Sequence, residues 1–206
     1  MTTFHARPVL LCLLFVVAGC AFGTNRVTVR TLPMAAMPAS GSTVGVRVTD
    51  ARPELSGAQV GVKRNGYGAK TGSVELAGGG LLSAILTTDL VSILRERGYR
   101  AESTSGDPPA ELNLTAEIVS FGVDNKTGFW SGSLEGIAVV RVTIVDARTG
   151  QQIWSDVVRS EASEDGLQFV SEVDHQKVVE RLYDALLTSF RTAIPDGRAP
   201  LRPAGS

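Results

Sequence analysis

The segment "LLSAILTTDLVSILRERG", Leu81–Gly98, decides the fold, because it interrupts a series of alternating, strand-like segments with a helical pattern. Its apolar residues recur every three or four positions, which is typical of one face of an α-helix. They are Leu82, Ile85, Leu86, Leu90 and Ile93. Gly98 stands where a left-handed cap is favoured, so the helix is predicted to end just before it.

The segments around this helix predict strands. In "TVGVRVT", Thr43–Thr49, valines alternate with mostly polar residues, as in a strand that is buried on one face. "AQVGVKRN" and "KTGSVEL" are two further short candidates, and Tyr99–Glu102 can start a strand after the helix. "AELNLTAEIVSF" alternates again, and Gly136–Ser160 is typical of a hairpin that turns at Ala147–Gly150.

A second helix follows "SEVD", where Ser171 and Asp174 form a capping-box pattern. Its apolar stripe contains Val178, Val179, Leu182, Leu186 and Phe190, and Pro195 lies just past its end. Two amphipathic helices and about six strands predict an α+β fold over residues 43–194. The expected architecture is a two-layer sandwich, in which both helices cover one face of a mixed, mostly antiparallel sheet.

The start of the chain predicts a lipoprotein signal peptide over residues 1–19. An apolar run of signal-peptide length, Val9–Ala18, follows a weakly basic start and leads into "VAGC". That tetrapeptide resembles the lipobox of bacterial lipoproteins, which implies diacylglycerol on Cys20 and cleavage before it; the alternative is an ordinary signal peptide. The residue after Cys20 is Ala21 and not aspartate, so the same resemblance implies the outer membrane, facing the periplasm.

The segments that flank the domain have few residues able to pack. Residues 20–42 are rich in small residues, and they predict a lipidated N-terminus and tether with a short strand at Val27–Val29. Residues 195–206 predict a flexible tail. The formal net charge of -1 gives no overall electrostatic case for nucleic acid or acidic lipid as a partner. Since Cys20 is the only cysteine after the signal peptide, no disulfide or thiolate site is expected.

Five segments together are similar to the YajG-like family of envelope lipoproteins. They are "VGVRVTDARPE", "VGVKRNGYGAKTG", "LRERGYR", "ELNLTAEI" and "IVDARTGQQIWS". The resemblance covers most of the chain after the signal peptide, and the glycine-rich segment is its most specific part. It implies the fold and an envelope location, and it implies no reaction.

The glycine-rich "GYGAKTG", residues 66–72, has the composition of a phosphate-binding loop but not its pattern. A P-loop needs glycine directly before its lysine and a helix after it, whereas here Ala69 precedes Lys70 and a strand is predicted next. Asn65 followed by glycine favours a tight turn, and no nucleotide is expected. Tyr67 and Lys70 are candidate partner-binding residues on this turn; the alternative is that the glycines allow close packing against the first helix.

Other candidates are fewer. Phe129 and Trp130 are adjacent aromatic residues in a polar connection, and they can bind a partner or fold back over the sheet. Asp89 falls within the apolar stripe of the first helix, where it is expected to bond backbone amides or a basic side chain such as Lys70. His175, the only histidine after the signal peptide, is expected to be a satisfied, hydrogen-bonded histidine and not a metal ligand.

The sequence contains no recognisable set of catalytic, metal-binding or cofactor-binding residues. It therefore predicts a non-enzymatic binding or structural module of the cell envelope. The expected partners are the membrane, through lipid on Cys20, and an envelope protein. An accessory lipoprotein of a lipid or lipopolysaccharide transport complex is the alternative, and a hydrolase is a more distant one.

Overall fold

The computed structural model describes residues 23–55, 57–65, 67–104, 110–127, 132–168 and 170–197. Within these residues the chain forms an α+β domain. Its strands are β1 Gly23–Val27, β2 Thr43–Asp50, β3 Gln59–Arg64, β4 Lys70–Leu76, β5 Arg100–Ser103, β6 Leu112–Thr127, β7 Gly132–Asp146 and β8 Gln152–Leu167. The α-helices are α1 Leu82–Glu96 and α2 Glu172–Ala193, and a 3-10 turn spans Ala77–Gly79.

A mixed sheet is organised around β6. One edge of β6 pairs antiparallel with β7, which pairs antiparallel with β8. The other edge is shared, because its first half pairs parallel with β2 and its second half pairs parallel with β3. Beyond them, β5 joins β2 in parallel, β4 joins β3 antiparallel, and β1 joins β4 in parallel. The predicted α+β architecture is confirmed, with eight strands among the described residues instead of about six.

Both helices pack against the buried side of this sheet. α1 lies against β2 and β5, and α2 lies mainly against β7 and β8. The capping box at Ser171 and Asp174 is present, and Gly98 ends α1 with a φ of 91°. The predicted stripe of α2 is entirely buried, whereas in the stripe of α1 Ile85 is only half-buried. The two helices and the strands share one apolar core.

A bulge in β6 changes which of its residues face the core. Leu114, Ala116 and Ile118 are buried, as the alternation predicts. The register shifts between Ile118 and Ser120, and the buried residues after it are Phe121 and Val123. One extra residue reverses the side on which every following side chain lies.

From Gly23 onward the structure differs from the predicted tether over residues 20–42. β1 pairs with β4, and its last residue, Val27, is fully buried. Thr28 exchanges two backbone hydrogen bonds of 2.8 Å with the side-chain amide of Gln176 on α2. Residues 23–28 are therefore part of the folded domain.

The next residues of the same segment run along α1. The backbone N–H of Leu32 donates to Asp89 Oδ1 at 2.8 Å. Ser92 Oγ donates to the carbonyl of Pro33 at 2.8 Å and accepts the N–H of Ala35 at 3.0 Å. These side chains satisfy an irregular backbone that has no strand or helix partners of its own.

The described start of the predicted tail, residues 195–197, is also packed on the domain. Arg97 donates two hydrogen bonds to the carbonyl of Ile194, at 3.1 Å and 2.8 Å. The N–H of Gly197 donates to the carbonyl of Arg97 at 2.9 Å. A Cβ at position 197 would lie 2.8 Å from the ring of Tyr99, so glycine allows the backbone to cover this buried ring.

Candidate functional site

The glycine-rich segment joins β3 to β4 through a tight turn, as the sequence predicts. Asn65 Oδ1 accepts the backbone N–H groups of Tyr67 and Ala69, both at 3.0 Å. The N–H of Gly68 donates to the carbonyl of Asn65 at 2.8 Å, and Gly68 has a φ of 80°. These three N–H groups are used inside the turn, whereas a phosphate-binding loop directs such groups at its ligand.

The two candidate side chains of this turn are accessible. Tyr67 is 98% exposed, and Lys70 is also exposed. The turn itself is held against β6, because Arg64 Nε forms an ion pair with Asp124 at 2.9 Å while its Nη1 donates to the carbonyl of Gly68 at 3.2 Å. Tyr67 and Lys70 therefore project from a braced turn.

Gly72 allows the close approach of another strand and not of the first helix. A Cβ at this position would lie 2.0 Å from the carbonyl oxygen of Gly23 in β1. The predicted packing of these glycines against α1 is therefore wrong at Gly72, where the neighbour is backbone. The sequence could not identify this neighbour, because β1 lies within the predicted tether.

The other sequence-predicted site residues, Cys20, Phe129 and Trp130, lie outside the described residues. The strand ends that flank the two aromatic residues are described, and Thr127 of β6 pairs with Gly132 of β7. The structure thus locates the points between which the connection runs.

The ends of several strands lie together at one end of the domain. Because β3 and β6 are parallel, their last residues, Arg64 and Thr127, lie at the same end. β1 begins there too, since Gly23 pairs with Gly72 near the start of β4. We call this region, comprising Gly23, Asn65, the turn residues 67–69, Thr127 and Gly132, the entry end. The β7–β8 turn at Ala147–Gly150 lies at the opposite end of the long hairpin, the far end.

Asp89 is buried and fully engaged. Its Oδ1 accepts the N–H of Leu32 at 2.8 Å, and its Oδ2 accepts the hydroxyl of Tyr183 at 2.5 Å. Burial raises the pKa of this carboxyl, although both hydrogen bonds act in the opposite direction. The predicted bond to a backbone amide is confirmed, and the second partner is Tyr183, not a basic side chain such as Lys70.

His175 is buried at the first turn of α2. Its Nδ1 lies 2.8 Å from the carbonyl oxygen of Ser171 and 3.2 Å from Nδ2 of Asn25 in β1. Among the described residues Nε2 has no hydrogen-bond partner. Burial lowers the pKa of this imidazole. The prediction of a satisfied, hydrogen-bonded histidine therefore holds at Nδ1 but not at Nε2.

A charged cluster that the sequence reasoning missed lies at the end of β2. Arg52 binds both carboxylate oxygens of Asp50, at 2.7 Å and 2.6 Å, although only 7% of Arg52 is exposed. The same guanidinium donates to the carbonyls of Gln59 at 2.7 Å and Phe121 at 3.0 Å. It thereby links β2, β3 and β6. The available signal was the pair of opposite charges in "TDARPE", directly after an alternating strand.

Two cavities are lined by described residues. One of about 150 Å³ lies beside β2 and β5, between Met37 and Arg100, and one of about 420 Å³ lies over β7 and β8, where Glu135, Glu161 and Asp165 line it. Within the described ranges no group of three or more His, Cys, Asp or Glu residues could hold a metal. In the same ranges no helix has the length and apolar character needed to cross a bilayer.

Comparison with known proteins shows similarity of structure alone. No protein-family model matches the sequence, and no curated protein matches it. A Xanthomonas campestris protein of the DUF330 family model resembles the chain with 14% identity and a TM-score of 0.47, over 82% of this chain and 89% of that chain. A lipoprotein from Neisseria meningitidis has 12% identity and a TM-score of 0.38, over 74% and 99% of the two chains.

A dodecamer of PelC from Paraburkholderia phytofirmans has 13% identity and a TM-score of 0.33, over 77% of this chain and 95% of that chain. At these identities and TM-scores the similarities assign neither a family nor an activity. The resemblance to YajG-like lipoproteins therefore stays a prediction.

Proposed function

We propose that this chain is a periplasmic lipoprotein of the outer membrane, anchored through lipid on Cys20, whose domain is a non-enzymatic binding module for another envelope protein. One observation carries the anchoring. The lipobox-like "VAGC" ends only three positions before Gly23, the first residue of a strand in the domain. A lipid on Cys20 would thus hold a folded domain directly at a membrane.

The chemistry of the buried polar groups supports a role without catalysis. Asp89 and Tyr183 bind each other inside the core, and Asp50 binds Arg52. Each of these side chains connects structural elements, and a buried polar group that is fully bonded in this way has a structural use. The proposal therefore assigns binding to exposed side chains and not to an internal site.

The anchor is tested by comparing the wild type with Cys20→Ser in a bacterial host. Mass spectrometry of the mature wild-type protein is expected to find diacylglycerol on Cys20, with the protein in the outer-membrane fraction. The variant is expected to stay an uncleaved, unacylated precursor. Normal processing and membrane association of the Cys20→Ser variant would contradict the proposed lipid anchor.

The protein partner is tested by site-specific photocrosslinking in intact cells. Ile137 is a suitable position, because it is 48% exposed on the sheet surface that the helices leave uncovered. Arg148 at the far end is a matched exposed control. One defined adduct from position 137, absent from position 148 and formed again by the purified partner, is expected. Equal, diffuse adducts from both positions would argue against a specific binding module.

A further inference from the structure

Only a short segment separates Cys20, the residue proposed to carry lipid, from the folded domain. Cys20 precedes Gly23 by three positions. Three residues of extended chain span at most roughly 11 Å. From Gly23 onward the chain is paired with β4, so a lipid on Cys20 would keep the entry end within about that reach of the headgroup layer. A flexible tether over all of residues 20–42 would have allowed several times this distance.

The β3–β4 turn projects beyond the point of entry. Gly23 pairs with Gly72, whereas β4 begins two residues earlier, at Lys70, directly after the turn. At about 3.3 Å per residue, Lys70 lies roughly 7 Å beyond Gly23 along the strand direction. Tyr67 lies farther still in the turn. Arg64, paired with Asp124, fixes the turn in this position.

The side chains of this turn have the chemistry of a membrane interface. Tyr67 is 98% exposed, so no part of the described domain covers its ring. Tyrosine is enriched at membrane–water interfaces, because its ring is apolar while its hydroxyl stays hydrated. An exposed lysine such as Lys70 can lay its aliphatic stem along an apolar surface and keep its ammonium group at the level of the phosphates.

We propose that the β3–β4 turn is a bilayer contact, in which Tyr67 enters the headgroup region and Lys70 meets lipid phosphates. The assignment rests on the proposed lipid anchor at Cys20. It gives the two sequence-predicted contact residues a phospholipid surface as their partner, in place of a protein. The domain then stands on the membrane by its entry end, and the far end points into the periplasm.

Spin labels in the full-length acylated protein test this orientation. Cys20 is the only cysteine of the chain after the signal peptide, and the lipid occupies its sulfur, so Tyr67→Cys supplies one free thiol. Arg148→Cys, exposed in the far-end turn, is the matched control. Both labelled proteins are reconstituted in vesicles of phosphatidylethanolamine and phosphatidylglycerol. Collisions of each label with oxygen and with a water-soluble nickel chelate are then measured.

The label at position 67 is expected to collide several-fold less with the nickel chelate than the label at position 148, and more with oxygen. Equal nickel accessibility at the two positions would overturn the bilayer contact. Vesicle flotation and mass spectrometry of the same samples test the anchor separately. Protein that is acylated and floats, but has an aqueous label at position 67, overturns only the role of the turn. Protein that is unacylated and does not float overturns the anchor and this contact together.

Discussion

Tyr183 of α2 donates a hydrogen bond of 2.5 Å to Asp89 of α1, and both side chains are fully buried. The second carboxylate oxygen of Asp89 accepts the N–H of Leu32, in the segment that follows β1. One acidic side chain therefore holds together two helices and the segment that follows β1. This explains why an acid lies in an otherwise apolar helical stripe, because both of its oxygens have a partner.

Tyr183→Phe is expected to reduce the free energy of unfolding by about 0.5–3 kcal/mol, a range that runs from a hydrogen bond between neutral groups to one with a charged acceptor. Urea titration measures this loss. Burial raises the pKa of Asp89, so the folded carboxyl keeps its proton to a higher pH than the unfolded one. Its contribution to stability is complete below the unfolded pKa and is lost as the pH rises through the folded pKa.

The effect of Tyr183→Phe should therefore depend on pH. Below the folded pKa of Asp89 the carboxyl is neutral and accepts a weaker hydrogen bond, so the loss should shrink. An equal loss below and above the folded pKa of Asp89 would contradict the assignment of Asp89 as the acceptor whose charge matters.

Arg52→Lys is expected to destabilise the domain strongly, because lysine cannot reproduce the two-pronged bond to Asp50 while also binding two carbonyls. Removing one partner of a buried ion pair typically costs about 3–5 kcal/mol, which sets the upper range for this change. Arg47→Lys, on an exposed position of the same strand, is the control and should change little. Similar unfolding midpoints in urea for both variants would be inconsistent with a structural role of Arg52.

Asp50 should add a loss of stability in acid. Burial raises the pKa of its carboxyl, but the hydrogen bonds and charge of Arg52 outweigh this effect, so the pKa lies below its usual value. The contribution is present above the unfolded pKa and is lost as the pH falls through the folded pKa. In Asp50→Asn, this loss of stability in acid should be absent when the free energy of unfolding is measured as a function of pH.

Gly72→Ala is expected to release β1, because the new Cβ would meet the carbonyl of Gly23 at 2.0 Å. Gly68→Ala meets no atom within 4 Å and should cost only the strain of a φ of 80°, about 1–2 kcal/mol. Hydrogen exchange distinguishes the two variants, since only Gly72→Ala should expose the amides of β1. Retained protection of β1 in that variant would show that the strand does not depend on this close approach.

His175 should make the domain less stable in mild acid. Burial lowers the pKa of its imidazole, and the nearby carboxylates of Asp174 and Glu172 only partly oppose this shift. The unfolded chain therefore binds the proton more readily. Stability is complete above the unfolded pKa, about 6.5, and falls as the pH drops below it. His175→Gln should remove this slope; an unchanged slope in thermal unfolding would assign it to other groups.

The sequence could predict those parts of the fold whose causes lie within a few residues. The apolar stripe of α2 consists of residues three or four positions apart, and the capping box joins Ser171 to Asp174. Gly98 ends α1 through its own positive φ. The structure contains all three features. The turn after Asn65 is likewise local, because its hydrogen bonds join residues at most four positions apart.

The alternation of apolar and polar residues does not predict the buried face of β6 beyond its bulge. The pattern from Leu112 to Ile118 predicts one buried face, and beyond the bulge the buried residues are Phe121 and Val123. Nothing in "IVSF" marks the extra residue, because a bulge arises from the pairing of β6 with β7 and not from the residues of one strand alone.

The sequence by itself determined that two amphipathic helices cover a sheet of alternating strands, since periodicity is a property of neighbouring residues. Only the tertiary structure decided where the chain joins this domain. The segment after β1 is ordered because Asp89, 57 positions away from Leu32, bonds its backbone, and β1 fits because Gly72 leaves room for it. Partners so distant leave no periodic signal in the chain. For this reason the sequence could name Tyr67 as a candidate contact residue, but could not predict its place at the end where Gly23 enters the sheet.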